Sequence, residues 1–594
     1  MVDVDGVDIS RSELMAHALY NAIDRPKGPE DFVVKRGSTF VNEYARTDSA
    51  TGIRNDGGPS NPNHLLGAFP VLFPYGQGGF EVDRPVAVAY ELHARWALRY
   101  CDQRFRKDPQ FPFQVFGVCQ KRQVCRSAAL QMKRSAYQHN RDMIARLKPA
   151  DLLKASQEET RGVPFSHPGV RALRQQIVAI RTRVSGTDEA RFCAQAMIWG
   201  TIVMCNPVCI WATINPGDTQ DPIAQVMAGA EVDLDAFLKT AGPDRARCAQ
   251  NIAGDPYAAA KFFHFMINSL LEVVFGIKSS KGRVQRQEGV FGIVQSYIGT
   301  VEAQGRGSLH LHILFWLKDA PTASRMKEGL RDPRFRDKIK KYIASTIRAD
   351  INQKSTEEVK GMEKESFVTY SRPIDPLVDR KASDEQETNL ARAVQLHGCS
   401  VTTCLKVIKG RLQCKRRAPF LLAEDDWVDA DGQWGPKRFS EYLNNWNPTI
   451  MRTLRANHDV KLVMSGADTR TLVWYVTNYA TKKQQRSSNV SALLARRIKQ
   501  HQKLERREVD VVKINKRLIQ RCCNALTTDH EFSAPEIISY LMGWGDRFQS
   551  HHYVVIFWDA ATLALKKAFP GLRSLYVDFI SNSFQAESLM FNSN

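Results

Sequence analysis

Residues 301–317 read VEAQGRGSLHLHILFWL, and this stretch decides the fold of the region around it. Its second half, residues 309–317, is apolar and rich in β-prone residues, so it predicts a strand. Successive side chains of a strand point to opposite faces, so His310 and His312 are expected to project from one face while Leu309, Leu311 and Ile313 pack behind them. Two imidazoles therefore converge on one point.

Residues 298–304 predict the partner strand of a hairpin whose turn is Gly305-Arg306-Gly307. An odd-length loop places Glu302 and Gln304 on the face of the histidines. A three-residue loop sets Glu302 opposite His310, whereas a five-residue loop sets Gln304 there. Either residue would complete a three-ligand divalent-metal site with open positions. The alternative is that the two histidines are buried and hydrogen-bonded to backbone groups.

A second chemical signal lies in residues 471–483, TLVWYVTNYATKK. Tyr475 and Tyr479 are four positions apart, so on a helix both hydroxyls share one face, with Lys482 and Lys483 one turn further on. A phenol with its ordinary pKa of about 10 is a poor nucleophile, and it needs a nearby cation and a metal-polarised phosphate to react. The alternative is a pair of helix-face tyrosines that pack on a core.

A third signal has the spacing His-x-Cys-x4-Cys-x9-Cys and consists of His397, Cys399, Cys404 and Cys414. Four soft or borderline ligands so close together suit tetrahedral Zn²⁺ with no open position, which predicts a structural site. The following residues 415–417, KRR, could contact phosphate or act as a nuclear-import patch, or they could form an exposed basic patch with no role.

Charge points to an anionic partner. The chain has 594 residues, with 83 Lys and Arg against 63 Asp and Glu, a formal net charge of +20. Polyphosphates are the commonest partners of such proteins. Residues 486–521 predict a basic helical run in which Arg496, Arg497 and Lys499 could lie along a DNA backbone, or could form a solvated helix surface.

Several classes of protein are excluded or disfavoured. No Gly-x4-Gly-Lys-Ser/Thr motif occurs, which argues against a P-loop ATPase or helicase. Residues 1–11 lack the basic and apolar regions of a secretory signal, so we expect an intracellular protein. Its 12 cysteines are then not expected to form a disulfide framework, and any cluster of them indicates metal binding first. Residues 192–217 carry no charge, but two Asn-Pro pairs interrupt them, which favours buried strands joined by turns over a membrane span.

Taken together, these motifs resemble a known family. The His310-Leu311-His312 sequence with Tyr475 and Tyr479 is similar to the His-hydrophobic-His (HUH) endonucleases that initiate rolling-circle replication. Closer still is the replication-initiator region of Helitron transposases, which is resembled by residues 302–312 (EAQGRGSLHLH), 475–482 (YVTNYATK), 67–76 (GAFPVLFPYG), 213–218 (TINPGD) and 457–459 (NHD). The resemblance runs from about residue 65 to residue 558. Helitron proteins usually continue into a Pif-type helicase, and no such sequence follows here, so autonomous transposition by this chain alone is not expected.

The resemblance implies a mechanism. One Mg²⁺ or Mn²⁺ would be held on the scissile phosphate by His310, His312 and, by family position, Gln304. Tyr475 or Tyr479 would attack this phosphate. The products would be a 5′-phosphotyrosine and a free 3′-OH, and the second tyrosine would allow strand transfer without ATP. Lys482 would stabilise charge, although a solvated position is an equal alternative. Helitron-like proteins also carry a similar His/Cys group between the metal strand and the tyrosine helix.

We therefore predict an α+β, multidomain chain with an antiparallel HUH endonuclease core, flanking helices and a small zinc-binding segment. Its function would be metal-dependent nicking and strand transfer of single-stranded DNA at transposon ends and target, in the nucleus, with no membrane contact. A helicase would come from a longer form of the protein or act in trans. Arg306 and Lys483 join the predicted DNA contacts. The alternative is a catalytically silent, domesticated Helitron-derived DNA-binding protein.

The predicted domain boundaries follow from these segments. They are an N-terminal extension (1–64), a Helitron-like N-terminal DNA-binding region (65–255), the first part of the endonuclease core (256–319), a helical insertion with the zinc segment (320–440), the tyrosine-helix part of the core (441–485), and a basic helix with the C-terminal region (486–594).

Overall fold

The structure is a computed structural model of the chain. The residues it describes are 64–81, 85–86, 88–233, 243–280, 283–303, 307–364, 372–401, 404–408, 410–464, 489–504, 510–554, 563–565 and 567–569. Within them it combines many helices with antiparallel sheet, which confirms the predicted α+β class.

Helices dominate the first part of the chain, and local sequence explains where several begin. Asp221 and Asp255 each stand before a proline and accept a hydrogen bond from a backbone N–H at the start of the helix that follows. In chain order the elements are α1 (His64–Ala68), α2 (Tyr90–Leu98), α3 (Arg104–Lys107), α4 (Phe111–Gln131), α5 (Ser135–Ala145), α6 (Pro149–Thr160), α7 (Pro168–Arg181), α8 (Asp188–Cys205), β1 (Ile210–Ile214), α9 (Pro222–Met227), α10 (Arg245–Gly254) and α11 (Pro256–Ser269).

A π-helical turn, Leu270–Val274, ends α11 and leads into the strand-rich part of the chain. The elements that follow are β2 (Ile277–Ser280), β3 (Arg283–Arg286), β4 (Glu288–Gly289), β5 (Gly292–Ala303), β6 (Leu309–Leu317), α12 (Ala323–Gly329), α13 (Pro333–Thr346), α14 (Thr356–Gly361) and α15 (Arg380–Val394).

The last part alternates short strands with helices. It contains β7 (Leu405–Ile408), β8 (Arg411–Cys414), β9 (Trp427–Val428), β10 (Trp434–Gly435), α16 (Pro448–Leu454), β11 (His458–Leu462), α17 (Val490–Leu504), α18 (Val511–Thr528), α19 (Ala534–Met542) and β12 (Arg547–Gln549).

One antiparallel sheet organises the molecule, with the strand order β11-β1-β6-β5-β12 and β4 paired to β5. β6 is therefore the middle strand. One face of the sheet, with Leu311 and Ile313 of β6, packs into the largest apolar core together with α11 and α19. Part of the other face, around Leu314 and Trp316, is covered by the apolar side of α8.

A second, separate core lies among helices. It is formed by α4–α7 from the first part of the chain and by α17 and α18 from the last part, with buried residues such as Leu173, Ile177, Leu494 and Ile519. The described part of the basic run predicted at residues 486–521 lies in α17 and α18, which pack against a helical region more than 300 positions earlier.

One prediction about the first part was wrong. Residues 192–217 were expected to form buried strands joined by turns, but residues up to Cys205 belong to helix α8, and only Ile210–Ile214 form a strand. The helix begins at Thr187, whose side chain accepts a hydrogen bond from the Ala190 N–H. Among the described residues, no helix is both long and apolar enough to cross a membrane.

Candidate metal centres

The histidine pair lies on β6, with β5 on one side and β1 on the other. His310 and His312 share a face of the sheet and are both buried, with 5% and 7% of their surface exposed. Leu311 and Ile313 project from the opposite face into the main core. This is the alternation that the sequence pattern predicts for a strand.

A carboxylate lies next to the pair. Glu302 on β5 is directly opposite His310, and the strands stay paired as far as Ala303 and Leu309. This is the register of the three-residue-loop alternative. The Glu302 Oε2 atom lies 3.7 Å from Nε2 of His312, so one carboxylate and two imidazoles occupy one patch of the sheet.

The electrostatics of His310 suit a metal ligand. The pKa of His310 is lowered to about 4, mainly by burial; His312 and the Arg416 guanidinium also lower it, and Glu302 opposes them. The ring is therefore neutral at pH 7. Its Nε2 atom is buried and has no hydrogen-bond partner among the described residues. A neutral imidazole with a free, buried lone pair is the form of histidine that binds metal. Together with a carboxylate oxygen, this donor set fits a divalent cation such as Mn²⁺ or Mg²⁺.

Thr213 of β1 holds the second histidine. It is paired with His312 across the β1–β6 ladder, and its hydroxyl lies 3.0 Å from Nδ1 of His312. With Nδ1 engaged, Nε2 is the nitrogen of His312 left to face Glu302. Hydrogen bonds of this kind fix the orientation and tautomer of metal-binding histidines.

Two further segments that resemble the Helitron family meet at the same end of the sheet. The Asn215 side-chain amide donates to the Asn457 side-chain oxygen at 2.8 Å, although the two residues are 242 positions apart. The Ser308 hydroxyl, just before β6, donates to Asp218 Oδ1 at 3.1 Å. Residues 213–218 and residue 457 thus hold β11, β1 and the histidine hairpin in place.

His458 has a different role from the pair on β6. It is fully buried, and its Nε2 accepts a hydrogen bond from the Asn447 N–H at 3.0 Å. Burial lowers its pKa to about 4. In the register of the sheet, His458 is opposite Ile214, whereas Asp459 is opposite Thr213 and shares the face of His312. His458 is therefore a structural, hydrogen-bonded histidine.

The predicted zinc ligands come together in space. His397, Cys399, Cys404 and Cys414 place their ligand atoms all within 4.8 Å of one another. The His397 Nε2 atom lies 3.2 Å from Cys414 Sγ and 3.4 Å from Cys399 Sγ. Ligands about 2.0–2.3 Å from a tetrahedral Zn²⁺ lie at about such separations, so the donor set fits zinc.

The elements around this cluster are small. Cys404 stands immediately before β7, and Cys414 ends β8 opposite Leu405, so both residues lie at the same end of the β7–β8 hairpin. The Ser400 N–H donates to Cys404 Sγ at 3.3 Å, a contact typical of a coordinated sulfur. Burial and the neighbouring thiols of Cys414 and Cys404 raise the pKa of Cys399 to about 11. Thiols packed so closely ionise together only when a cation balances them.

Arg416 links the two centres. It follows Cys414 by two positions, is exposed to solvent, and its guanidinium lowers the pKa of both His310 and His397, in each case after the larger effect of burial. The zinc segment therefore brings the positive charge of Arg416 towards the histidine pair, where it could attract an anionic substrate.

The other predicted site residues divide into two groups. On α17, Arg496 and Lys499 are exposed, and Arg497 is half-buried and donates to Gln500 at 3.0 Å. The remaining predictions lie outside the described residues and concern Gln304, Arg306, Tyr475, Tyr479, Lys482 and Lys483.

Sequence reasoning named Arg416 as a possible phosphate contact, but it did not single out Thr213 or Asp218 as functional. Thr213 acts through strand pairing with a segment 99 positions away, which no local pattern reveals. The available signal was the resemblance of residues 213–218 to the Helitron family, which marked the segment without giving roles to its residues.

Comparison with known families adds one finding. Residues 93–315 match the family model described as "Helitron helicase-like domain at N-terminus". The matched range contains β1, β5 and both histidines of β6. The match supports a relation to Helitron proteins and suggests a nucleic-acid enzyme family. Among curated proteins, no match was found.

Proposed function

We propose that the chain is a Helitron-type rolling-circle transposase or replication initiator, an HUH-type endonuclease that nicks single-stranded DNA and transfers the cut strand. The observation that carries this proposal is the buried, neutral His310, whose unpartnered Nε2 shares one face of the sheet with His312 and Glu302. The family match over residues 93–315 supports it.

One Mg²⁺ or Mn²⁺ would be held by His310, His312 and a third ligand. The two candidates for this third ligand are Glu302 and Gln304, and the family resemblance implies Gln304. Bound there, the cation would polarise the scissile phosphate and stabilise the charge that develops on it. Thr213 keeps His312 oriented through its Nδ1. Arg416 attracts the phosphate to this face.

The covalent step belongs to the tyrosines. The phenol oxygen of Tyr475 or Tyr479 bonds to phosphorus, the bond to the 3′ oxygen breaks, and that oxygen takes up a proton. A 5′-phosphotyrosine and a free 3′-OH result. Lys482 stabilises the phenolate before attack. The second tyrosine cuts a second strand, and a free 3′-OH then displaces a phosphotyrosine, so strand transfer conserves the phosphodiester bond without ATP.

The substrate must be single-stranded at the cut, because the phosphate has to reach both cation and phenol. A helicase from a longer form of the protein, or one acting in trans, would supply such strands at transposon ends and target, in the nucleus. Zn²⁺ at His397, Cys399, Cys404 and Cys414 would have a structural role.

A covalent adduct assay tests this proposal. We expect purified protein, incubated with end-labelled single-stranded DNA and Mn²⁺, to form an adduct that survives denaturant. EDTA, His310→Ala and the double substitution Tyr475→Phe with Tyr479→Phe should each abolish it. Either tyrosine substitution alone should leave partial cleavage, because the other phenol can substitute.

Two control variants distinguish a loss of catalytic chemistry from a general loss of folded protein. His139→Ala removes an exposed imidazole and Tyr100→Phe removes a phenol far along the chain from residues 471–483, so both should form the adduct at the wild-type level. An adduct that persists in the double tyrosine variant would refute the assigned nucleophiles. No adduct with any metal or strand would favour a catalytically silent DNA-binding protein.

A further inference from the structure

The helices around the second core form a unit, here called the basic lobe, made of residues 124–184, 489–504 and 510–528. Its two halves are far apart in sequence but share one apolar core. They are also joined by polar contacts: Glu159 accepts hydrogen bonds from the N–H and the hydroxyl of Ser491, at 2.9 and 2.6 Å. The basic lobe is therefore a single folded unit.

Most of the net charge of the chain resides in this lobe. Its three segments contain twenty Lys and Arg residues against five Asp and Glu residues, a surplus of fifteen positive charges in a chain whose formal net charge is +20. The rest of the molecule is close to neutral. So strong a local surplus attracts a polyanion to this region.

The acidic residues of the lobe are engaged in local contacts. Asp151 and Asp510 accept hydrogen bonds from backbone N–H groups at the starts of α6 and α18. Glu158 accepts from Ser166, and Asp142 pairs with the adjacent Arg141 at 3.1 Å. These carboxylates stabilise turns and helix ends, and Asp510 also lies 3.7 Å from the Lys513 ammonium. The surplus of fifteen positive charges already counts all five acids, so it remains despite these contacts.

Two helices of the lobe carry ordered basic stripes. On α17, Arg496 and Lys499 are exposed and three positions apart. On α18, Lys513, Lys516 and Arg517 follow at helical spacing, opposite the buried side that holds residues such as Ile519 and Cys522. α17 and α18 pack against each other, so the two stripes lie on neighbouring helices.

The lobe lacks the side chains that recognise single strands. Its aromatic residues other than histidine are Tyr137, which is fully buried, and Phe165, which is half-buried beneath the Arg174 guanidinium at 5.5 Å. Single-strand binding depends on exposed aromatic faces on which bases stack. A surface of cations without such faces suits a duplex, whose bases are hidden and whose phosphates are regularly spaced.

We propose that the basic lobe binds the phosphate backbone of double-stranded DNA without sequence readout. If the proposed function holds, this duplex would flank the single-stranded segment that is cut. Duplex binding itself needs neither the cation site nor the tyrosines, so it is independent of the proposed chemistry.

The test measures binding in EDTA, where no cleavage occurs. Fluorescence anisotropy with a labelled duplex of about 30 base pairs and arbitrary sequence gives the affinity over a range of salt concentrations. For the triple variant Arg496→Gln, Lys499→Gln and Lys513→Gln, we expect at least a tenfold loss of affinity near physiological salt. The slope of log K against log salt should fall by about two to three, the value for three lost phosphate contacts.

The matched control removes three exposed cations at helical spacing from α13, by Arg334→Gln, Lys338→Gln and Lys341→Gln. It should bind the duplex like the wild type. An equal loss in both variants would overturn the proposal, because net charge alone would then explain binding. Tighter binding of a single strand of the same length, lost in the lobe variant, would also overturn it. A failed adduct assay with intact duplex binding would refute only the proposed chemistry.

Discussion

At the scale of single residues, the histidine pair depends on neighbours that the sequence does not place beside it. Thr213 engages Nδ1 of His312 at 3.0 Å, so Nε2 is the nitrogen that faces Glu302. Without that hydroxyl the ring could adopt the other tautomer or rotate, and the two imidazoles would no longer present lone pairs to one point.

We therefore expect Thr213→Val, which keeps the shape of the side chain, to weaken Mn²⁺ binding about 10- to 100-fold, as the loss of a hydrogen bond to a metal-binding histidine commonly does. The dissociation constant is measured by a titration in which electron paramagnetic resonance detects free Mn²⁺. Thr213→Ser retains the hydroxyl and should bind nearly as the wild type does. Wild-type affinity in the valine variant would mean that His312 is oriented by something else.

The site residues differ in how far sequence could predict them. The face of His310 and His312 follows from strand alternation alone. The choice between Glu302 and Gln304 does not, because it depends on loop length, and two odd lengths fit the same glycine-rich turn. Only the pairing of β5 with β6 puts Glu302 opposite His310.

At the scale of elements, the β7–β8 hairpin cannot be stable by itself. Its strands have four residues each, and two of its apolar side chains, Val407 and Leu412, are 72% and 58% exposed. An isolated two-stranded hairpin is at best marginally stable in water. The cluster of His397 with the three cysteines is what can hold it, provided that a metal balances the thiolates.

Cys414→Ser should consequently lower the zinc content from about one equivalent to less than half, because a three-ligand site loses affinity. Amide hydrogen exchange should accelerate in β7 and β8 and stay slow in β5 and β6. Cys101→Ser removes an exposed cysteine outside the cluster and should change neither quantity. Unchanged exchange in the hairpin after zinc loss would show that metal does not hold this element.

Among the helices, the sequence pattern predicts the element correctly where polar and apolar residues alternate, and it gives a wrong prediction where they do not. Residues 192–205 are uncharged, so they lack the polar face that marks a surface helix, and the following Asn-Pro pair suggested strands. The helical signal lay just upstream, in Thr187 followed by Asp188 and Glu189, a capping residue with acids in the first turn.

At the scale of the whole molecule, the sheet gathers strands from four distant regions, 210–214, 292–317, 458–462 and 547–549. Sequence predicts the local β5–β6 hairpin, because two strands and a glycine turn are adjacent. It does not predict that β1 and β12 join them, since pairing across hundreds of residues is decided by the fit of the assembled core. The sheet and the packing of α11 on it bury three neutral histidines, His264, His310 and His458.

These histidines predict acid sensitivity. Burial lowers the pKa of each to about 4, from an ordinary value of 6.5. The unfolded chain therefore takes up protons as pH falls below about 6.5, while the folded chain does so only near 4. The stability contributed by the neutral rings is fully present above pH 6.5 and is lost as pH falls through about 4. In EDTA, the urea midpoint should fall steadily between these values.

A single substitution isolates this effect from that of the carboxylates. His264→Gln leaves a neutral, hydrogen-bonding side chain near Ser539, which His264 contacts at 3.0 Å. This substitution should lower the urea midpoint at pH 7. It should also reduce the further loss of unfolding free energy between pH 7 and pH 4.5, by about 2 kcal/mol, because glutamine takes up no proton. His139→Gln, at an exposed position, should leave the whole pH profile unchanged. If the profiles of the His264 variant and the wild type ran parallel, protonation of this buried ring would not contribute to acid unfolding.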